Sequence, residues 1–305
     1  MSVTLSDGGA SPPNSHAMSW WLAIRPKTLW AAFVPVVVGT AIALGEGSVH
    51  WVSAALAGVG ALGIQIGTNL VNDYADFHRG ADTVDRKGPT RVTQSGLLTP
   101  RTVLAGTVVA FGIALAAGIY LIVRGGWPIL LVGLLSIISG ILYTAGPKPL
   151  GYIGLGDLFV LLFFGPVAVA GTHYVQALSL SWTAVGAGLG PGLLSVALLS
   201  VNNLRDVDED LKVGKRTLAV RFGERFARWE YVASVIAAAL VPVGLFAWTG
   251  NHPWSMLAGL MLVLAFPVFR KVLGGVDGAA LNPLLGFTGR LSIVYSLVFS
   301  LTWLI

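Results

Sequence analysis

The sequence predicts an all-α protein that crosses a membrane several times. Of its 305 residues, 55% are hydrophobic and only 11% are charged, whereas about a quarter of the residues in a soluble globular domain are charged. Hydrophobic runs close to the ~20 residues that a helix needs to cross a bilayer recur along the chain. The predicted fold is therefore a polytopic helical bundle in the membrane.

Nine apolar segments are predicted to span the bilayer, with ends uncertain by a few residues. They cover residues 28–45, 51–71, 102–123, 127–144, 152–172, 182–201, 229–248, 254–269 and 288–305. Four prolines inside these segments are expected to kink the helices: Pro35, Pro166, Pro191 and Pro242. The 39 glycines suit close helix packing in lipid.

The N-terminus differs from the rest of the chain. Residues 1–18 are polar and contain no Lys or Arg, so they lack the basic region of a cleaved signal peptide. We predict a disordered tail over residues 1–18 and one transmembrane domain over residues 19–305.

The basic residues predict the orientation. When nine segments cross the bilayer in turn, all of the 19 Lys and Arg residues except Arg124 fall on the side of the N-terminus. Because Lys and Arg collect in cytoplasmic loops, we predict a multi-pass plasma-membrane protein with a cytoplasmic N-terminus and an external C-terminus. A surface for nucleic acid would not need this alternation, so no nucleic acid partner is expected.

Two clusters hold more than half of the 14 acidic residues. One follows segment 2 and the other follows segment 6, so both meet the predicted cytoplasmic face, and the spacing suggests a duplicated four-helix unit. Each begins with asparagine: Asn72 precedes Asp73, Asp76, Asp82 and Asp85, while Asn202 and Asn203 precede Asp206, Asp208, Glu209 and Asp210.

The spacing of these acids favours a bound cation. If the helices continue through the clusters, Asp73 and Asp76 lie at i and i+3, and Asp206 and Asp210 at i and i+4, so each pair shares a face. Asp and Asn oxygens, with no cysteine in the chain, favour Mg²⁺ over zinc.

Basic residues accompany both acidic clusters. Carboxylates that bind Mg²⁺, next to cations that bind phosphate oxygens, are what a metal-bridged diphosphate needs. At the rim of an apolar bundle, the simplest such ligand is an isoprenyl diphosphate with its chain in the membrane. The alternative is a solvated loop surface, which is what we expect for Asp85, Asp208 and Glu209. The basic residues are Arg79, Arg86, Lys87, Arg91, Arg205, Lys212, Lys215 and Arg216.

Several stretches between Arg25 and Arg221 resemble the UbiA-type superfamily of intramembrane aromatic prenyltransferases. The resemblance is closest to the branch that prenylates 1,4-dihydroxy-2-naphthoate in menaquinone biosynthesis. The stretches are "RPKTL" at 25–29, "NDYADFHRGADT" at 72–83, "GPTRVTQSGLLTP" at 88–100, "YTAGPKPLGYIGLGDLFVLLFFGPVAVAGT" at 143–172 and "NNLRDVDEDLKVGKRTLAVRFG" at 202–223.

The resemblance implies a bundle of about nine spans around a central cavity that opens sideways to lipid. It implies that Asn72, Asp73 and Asp76 hold one Mg²⁺, and that Asp206 and Asp210 hold a second with help from Asn202 and Asn203. It also implies that Arg91, Lys148 and Lys215 bind diphosphate. The family's first motif is NDxxDxxxD, but its last position here is Gly80. Which third acid joins the site is therefore open, with Asp82 as a candidate for substrate binding.

Other polar residues have two interpretations. Tyr143 and Tyr152 are either interfacial residues or, together with Asp157, contacts for the acceptor or for a carbocation that an aromatic face stabilises. Gln65, inside segment 2, either bonds one helix to another or has a functional role.

The activity that the resemblance implies is transfer of a polyprenyl group from polyprenyl diphosphate to 1,4-dihydroxy-2-naphthoate, giving demethylmenaquinone, diphosphate and CO₂. One alternative is another aromatic acceptor, such as 4-hydroxybenzoate, homogentisate or a haem or chlorin ring. A secondary transporter is a second alternative, although transporters usually place ionisable residues near the middle of the membrane.

Overall fold

The computed structural model describes residues 16–81 and 87–305. Within these ranges it contains eight helices long and apolar enough to cross a membrane and a ninth, shorter apolar helix, Trp127–Leu142. No strand occurs in the described residues. The predicted all-α membrane bundle is therefore confirmed.

Thirteen α-helices make up the described part of the chain. They are α1 (His16–Ile24), α2 (Pro26–Gly45), α3 (Trp51–His78), α4 (Pro100–Gly125), α5 (Trp127–Leu142), α6 (Gly156–Phe163), α7 (Pro166–Ala177), α8 (Trp182–Arg205), α9 (Val207–Lys212), α10 (Leu218–Phe222), α11 (Glu224–Thr249), α12 (Met261–Leu273) and α13 (Asn282–Trp303). Short 3-10 helices, Pro253–Leu260 and Gly278–Leu281, lead into α12 and α13.

Local sequence explains where several of these helices begin. The side chains of His50, Thr99 and Ser181 accept hydrogen bonds from backbone N–H groups in the first turns of α3, α4 and α8, which satisfies donors that a helix start leaves open. In the fifth predicted segment the chain leaves α6 at Phe163 and starts α7 at Pro166. The other three prolines lie within the continuous helices α2, α8 and α11.

The second segment extends beyond its prediction. It was expected over residues 51–71, but α3 continues to His78, so the first acidic cluster begins on a helix. The predicted tail lies outside the described residues except for positions 16–18, which start α1.

The core of the bundle surrounds α8, which is its most buried span. This helix packs against α2, α6, α7, α11 and α13, and glycines allow the close approach. A Cβ on Gly188 would lie 2.6 Å from Cα of Pro166, and one on Gly192 would lie 2.6 Å from the carbonyl oxygen of Leu161. In contrast, α4 presents exposed apolar side chains such as Val108 and Ile113 to lipid.

A paired substitution tests this packing. Gly188→Ala is expected to destabilise the protein by about 1–3 kcal/mol, because the added methyl group meets backbone atoms that cannot rotate away. The control is Gly112→Ala on α4, where an added Cβ meets nothing within 4 Å. Thermal unfolding in detergent should show a lower midpoint for the first variant only. Equal midpoints would contradict the proposed tight contact between α6, α7 and α8.

Candidate functional site

The last two turns of α3 carry two buried carboxylates. Asp73 is 2% exposed and Asp76 is 3% exposed. Asp76 Oδ2 accepts a hydrogen bond from Arg91 Nη2 at 2.9 Å, and Asp76 Oδ1 accepts one from the Tyr152 hydroxyl at 2.9 Å. Because a buried charge is costly unless it is paired and hydrogen-bonded, these two contacts offset the cost of burying the Asp76 side chain.

Asp73 has a different set of partners. Its two carboxylate oxygens accept hydrogen bonds from the backbone N–H groups of Val92 and Thr93, at 3.2 and 3.1 Å. These bonds fix the turn that begins at Arg91, and Arg91 in turn reaches Asp76. Asp73 therefore positions Arg91 by binding the backbone of the two residues that follow it.

The second acidic cluster lies where α8 ends. The helix stops at Arg205, and α9 starts at Val207, so Asp206 sits at a junction between helices. The expectation that Asp206 and Asp210 lie on one continuous helix is wrong. Asp206 accepts two hydrogen bonds from Arg205, from Nε at 2.6 Å and from Nη2 at 2.7 Å, whereas Asp210 is buried on α9.

Lys215 joins the two clusters. Its Nζ lies 3.5 Å from Asp210 Oδ1 and 4.0 Å from Asp76 Oδ1, and it also lies 4.9 Å from the centre of the Tyr152 ring. One ammonium group therefore faces a carboxylate from each cluster. The sequence predicts that both acidic clusters meet at the same face of the bundle. Asp76 from the first cluster and Asp210 from the second do so, because both lie close to Lys215.

Tyr152 contacts both Asp76 and Lys215. Burial, with the neighbouring charge of Asp76, raises the pKa of Tyr152, so the phenol stays protonated and donates to Asp76 at neutral pH. The guanidinium of Arg79 stands over the same ring, 5.2 Å from its centre. Two cations therefore contact one aromatic ring.

The two clusters also meet at a second place. Lys87 Nζ lies 3.0 Å from Asp208 Oδ2, and the Lys87 backbone N–H donates to Glu209 Oε1 at 2.9 Å. The hydrogen bond to Asp208 raises the pKa of Lys87. Asp208 is exposed, as predicted for a solvated side chain. Glu209 instead accepts a hydrogen bond from the backbone of Lys87, which follows the first cluster in sequence.

The remaining predicted site residues are more scattered. Asn72 Oδ1 accepts a hydrogen bond from the Thr144 hydroxyl, and Asn203 is buried in the last turn of α8 next to the half-buried Asn202. Lys148 is exposed and makes no hydrogen bond or ion pair with a described residue. Asp82 and Asp85 lie outside the described residues.

Asp157 is 8% exposed near the start of α6, and its Oδ1 has no hydrogen-bond partner among the residues that the structure describes. Tyr143 lies close to that start, because a Cβ on Gly156 would be 3.0 Å from the Tyr143 hydroxyl. The hydrophobic positions on α6 that follow Asp157 line a cavity together with Tyr143.

That cavity has a volume of about 420 Å³ and lies between α2, α3, α4, α5, α6 and α7. Along α3 its lining extends from Ala57 to Asn72, about 22 Å at 1.5 Å per residue. Asn72 and Tyr143 form the end nearest to Asp76. The lining residues Leu115, Leu130 and Leu134 are about half exposed, so the cavity opens toward lipid between α4 and α5.

The residues at this site fit a Mg²⁺ ion that binds together with a substrate phosphate, but not one held by protein side chains alone. No three carboxylate or imidazole side chains converge as a metal site anywhere in residues 16–81 and 87–305. Mg²⁺ usually binds one or two carboxylates together with waters and substrate phosphates. Asp76 and Asp210 therefore suit a metal that binds together with a diphosphate, and Lys215 and Arg91 suit the phosphate charge.

The sequence did not reveal the contacts of two supporting residues. Tyr152 was placed on the correct face, but nothing in the sequence identified its hydrogen bond to Asp76. Asn282 was not considered, although its side chain accepts from Arg205 Nη1 at 2.9 Å and donates to the Lys87 carbonyl at 3.1 Å. All three contacts join residues more than 70 positions apart, which spacing within a motif cannot show.

Comparisons with known proteins agree with this architecture. The model of the UbiA prenyltransferase family matches residues 32–303. The chain is 38% identical to the 1,4-dihydroxy-2-naphthoate octaprenyltransferase of Mycobacterium tuberculosis (strain ATCC 25618 / H37Rv), over 91% of this chain and 94% of that protein. It is 37% identical to the protein of the same name from Escherichia coli (strain K12), over 94% and 95%.

Among solved structures, a UbiA homolog from Archaeoglobus fulgidus bound to GPP and Mg²⁺ superimposes with a TM-score of 0.65. The match covers 92% of this chain and 99% of that chain at 15% identity. At this identity the likeness shows a shared fold.

The role of Lys215 as a counter-ion can be tested without a substrate. Lys215→Met removes the cation that Asp76 and Asp210 share. The free energy of unfolding in EDTA should therefore fall by about 1–3 kcal/mol. Added Mg²⁺ should recover part of this loss. The control is Lys212→Met, at an exposed position on α9, which should unfold like the wild type. Thermal unfolding with and without Mg²⁺ measures both, and an identical response of the two variants would contradict the shared-cation role.

Proposed function

Since the chain belongs to the UbiA prenyltransferase family, we propose that it transfers a polyprenyl group from a polyprenyl diphosphate to 1,4-dihydroxy-2-naphthoate. The products are diphosphate, CO₂ and the prenylated diol, which is the reduced form of demethylmenaquinone. The observation that carries this proposal is the meeting of both acidic clusters around Lys215 at the polar end of an apolar cavity. Relatives named as 1,4-dihydroxy-2-naphthoate octaprenyltransferases support the choice of acceptor.

The diphosphate binds at the polar end. Lys215 and Arg91 already face Asp76 there, and Arg79 lies beside the Tyr152 ring at the same place. Lys148 is exposed in the same loop as Tyr152 and is a further candidate for binding phosphate. Charge-assisted hydrogen bonds from these cations hold the phosphate oxygens. Since the cations are in place before the substrate binds, they stabilise the charge that develops on the leaving diphosphate with little rearrangement.

Asp76 and Asp210 would hold Mg²⁺, with Asn72 and Asp206 as further oxygen ligands and Asp73 acting on the turn at Arg91. The metal would supply positive charge that makes diphosphate a better leaving group. The known homologue bound to GPP and Mg²⁺ supports this assignment.

The prenyl chain lies in the cavity with its first carbon near Asn72 and Tyr143. As the bond from that carbon to the diphosphate oxygen breaks, the aromatic face of Tyr143 stabilises the positive charge on the allylic group. The electron-rich ring attacks this carbon through C2. The bond between C2 and the carboxylate then breaks, its electron pair restores the aromatic ring, and CO₂ leaves.

The arrangement of charges also bears on the alternatives and on orientation. Asp76 lies at the end of α3 and Asp210 lies on α9, just after α8, so neither acid is in the middle of a span, which argues against a transporter. We propose that this end faces the cytoplasm, because it carries the excess of Lys and Arg.

Two neighbouring aspartates provide a matched test of the site. Asp210→Asn is expected to lower turnover by about 100-fold or more, because it removes a buried charge that faces Lys215. Asp208→Asn, two residues away on the exposed side of α9, should change turnover by less than about threefold. The measurement is initial rate in detergent or liposomes, with folding checked by size-exclusion chromatography. Equal losses in the two variants would place the reaction elsewhere.

Mass spectrometry of the lipid product tests the reaction. The purified protein is supplied with 1,4-dihydroxy-2-naphthoate and prenyl diphosphates of several lengths, and 4-hydroxybenzoate and homogentisate serve as competing acceptors. We expect prenylated naphthalenediol, loss of product in EDTA and recovery with Mg²⁺. Product from another acceptor only would refute the assigned acceptor, and product formation in EDTA would refute the metal assignment.

A further inference from the structure

The cavity is more polar than a prenyl chain requires. On α3, Gln65, Thr68 and Asn72 follow one another at intervals of three and four residues, so they share one helical face, and all three line the cavity. A hydrocarbon chain gains nothing from amide or hydroxyl groups, and a polar group inside a membrane protein is costly unless it is used. Asn72 belongs to the diphosphate end, but Gln65 and Thr68 lie further along α3 and therefore point to a second, polar ligand.

The orientation of the Gln65 amide follows from its neighbours. Asn69 Nδ2 donates to the carbonyl of Ile24 at 2.9 Å and to Thr28 Oγ1 at 3.0 Å. A carbonyl oxygen can only accept, so the amide nitrogen of Asn69 must point toward Ile24 and its oxygen toward Gln65. Gln65 Nε2 donates to that oxygen at 3.3 Å.

The carbonyl oxygen of Gln65 is thereby left for a ligand. Gln65 Oε1 accepts no hydrogen bond from a residue in the described parts of the chain, and the side chain is 8% exposed on the cavity wall. An amide oxygen accepts hydrogen bonds and does not donate them. The missing partner is therefore a donor, which a prenyl chain and a diphosphate at neutral pH do not offer.

We propose that Gln65 binds the aromatic acceptor by accepting a hydrogen bond from one of its ring hydroxyl groups. This inference rests on the proposed function and assigns a residue that selects acceptors with a free ring hydroxyl. It places the acceptor ring beside α3, between the first carbon of the prenyl chain and the middle of the membrane.

The wall of α6 suits the ring itself. Phe159 and Phe163 line the same cavity, and their rings are stacked, with centres 6.0 Å apart and planes within 14° of each other. Offset or edge contacts with such rings favour a flat aromatic ligand. The cavity thus offers an apolar aromatic surface for the ring and an acceptor atom for its hydroxyl.

The hydrogen bond also affects reactivity. A hydroxyl group that donates to a carbonyl oxygen gains electron density on its own oxygen and passes part of it to the ring. The ring becomes a better nucleophile toward the allylic carbon, and no proton leaves the hydroxyl. Gln65 therefore binds and positions the acceptor without acting as a base.

A structural role alone is the competing explanation, because Gln65 also continues the hydrogen bonds that tie α3 to Ile24 and Thr28. The chain offers a matched control for it. Gln176 is also a buried glutamine that bonds to another helix, to Thr40 Oγ1 on α2 at 3.2 Å, and it bonds within α7 to the Thr172 carbonyl at 2.9 Å. Gln176 does not line the cavity. Loss of either glutamine costs helix contacts, but only loss of Gln65 removes the acceptor atom.

The test compares Gln65→Leu, Gln65→Met and Gln176→Leu in steady-state assays with one prenyl diphosphate that the wild type uses. For both Gln65 variants the KM for 1,4-dihydroxy-2-naphthoate should rise about tenfold or more, while the KM for the prenyl diphosphate stays within about twofold. Gln65→Met keeps the side-chain volume and serves if the leucine variant does not fold. Gln176→Leu should lower the unfolding temperature and leave both KM values unchanged.

Methoxy analogues identify the contact directly. Replacing the ring hydroxyl that binds Gln65 by a methoxy group should raise the KM of the wild type for the acceptor. It should not raise the KM of the Gln65 variants, because they already lack the hydrogen bond that the methoxy group removes. The 1-methoxy and 4-methoxy analogues show which hydroxyl it is. Equal sensitivity of the wild type and the variants to both analogues, or a parallel rise in both KM values, would overturn the inference. Failure of the wild type to prenylate the naphthoate would instead refute the proposed function.

Discussion

The contact of Lys215 with both Asp76 and Asp210 holds the site together. Two carboxylates from helices distant in sequence would repel each other in surroundings of low dielectric constant, and the ammonium group between them offsets that repulsion. Tyr152 stabilises the same contact, because its hydroxyl donates a hydrogen bond to Asp76 and its ring contacts Lys215. The rest of the bundle positions these few groups where water, lipid and a charged headgroup meet.

The packing around α8 provides the rigid frame for this contact. Gly188 and Gly192 let the break between α6 and α7 approach α8 closely. The loop with Tyr152 is joined to the region of Lys215 by a hydrogen bond from the Arg216 backbone N–H to the Tyr152 carbonyl at 2.8 Å. The cavity beside α3 then has two different regions. Its end at Asn72 faces the charged groups, while its apolar walls continue along α3 to Ala57, so one ligand can bind its charge and its hydrocarbon in different environments.

The sequence predicted the helical membrane bundle well, because the length of a hydrophobic segment depends directly on the bilayer. It also predicted that Asp76, Asp210, Arg91 and Lys215 belong to one region. It did not predict the break at Asp206, since a helix break between two polar residues depends on tertiary contacts such as that of Arg205 with Asn282. The roles of Tyr152 and of the Gln65 amide likewise required knowledge of which distant residues face them.

The most direct test of the central claim is anomalous diffraction from crystals of the protein grown with Mn²⁺ and a prenyl thiodiphosphate that does not react. We expect Mn²⁺ density bound by Asp76 and Asp210, with the phosphate oxygens beside Lys215 and the hydrocarbon in the cavity along α3. Mn²⁺ and phosphate bound to only one of the two acidic clusters, with Lys215 directed away from them, would contradict a shared site.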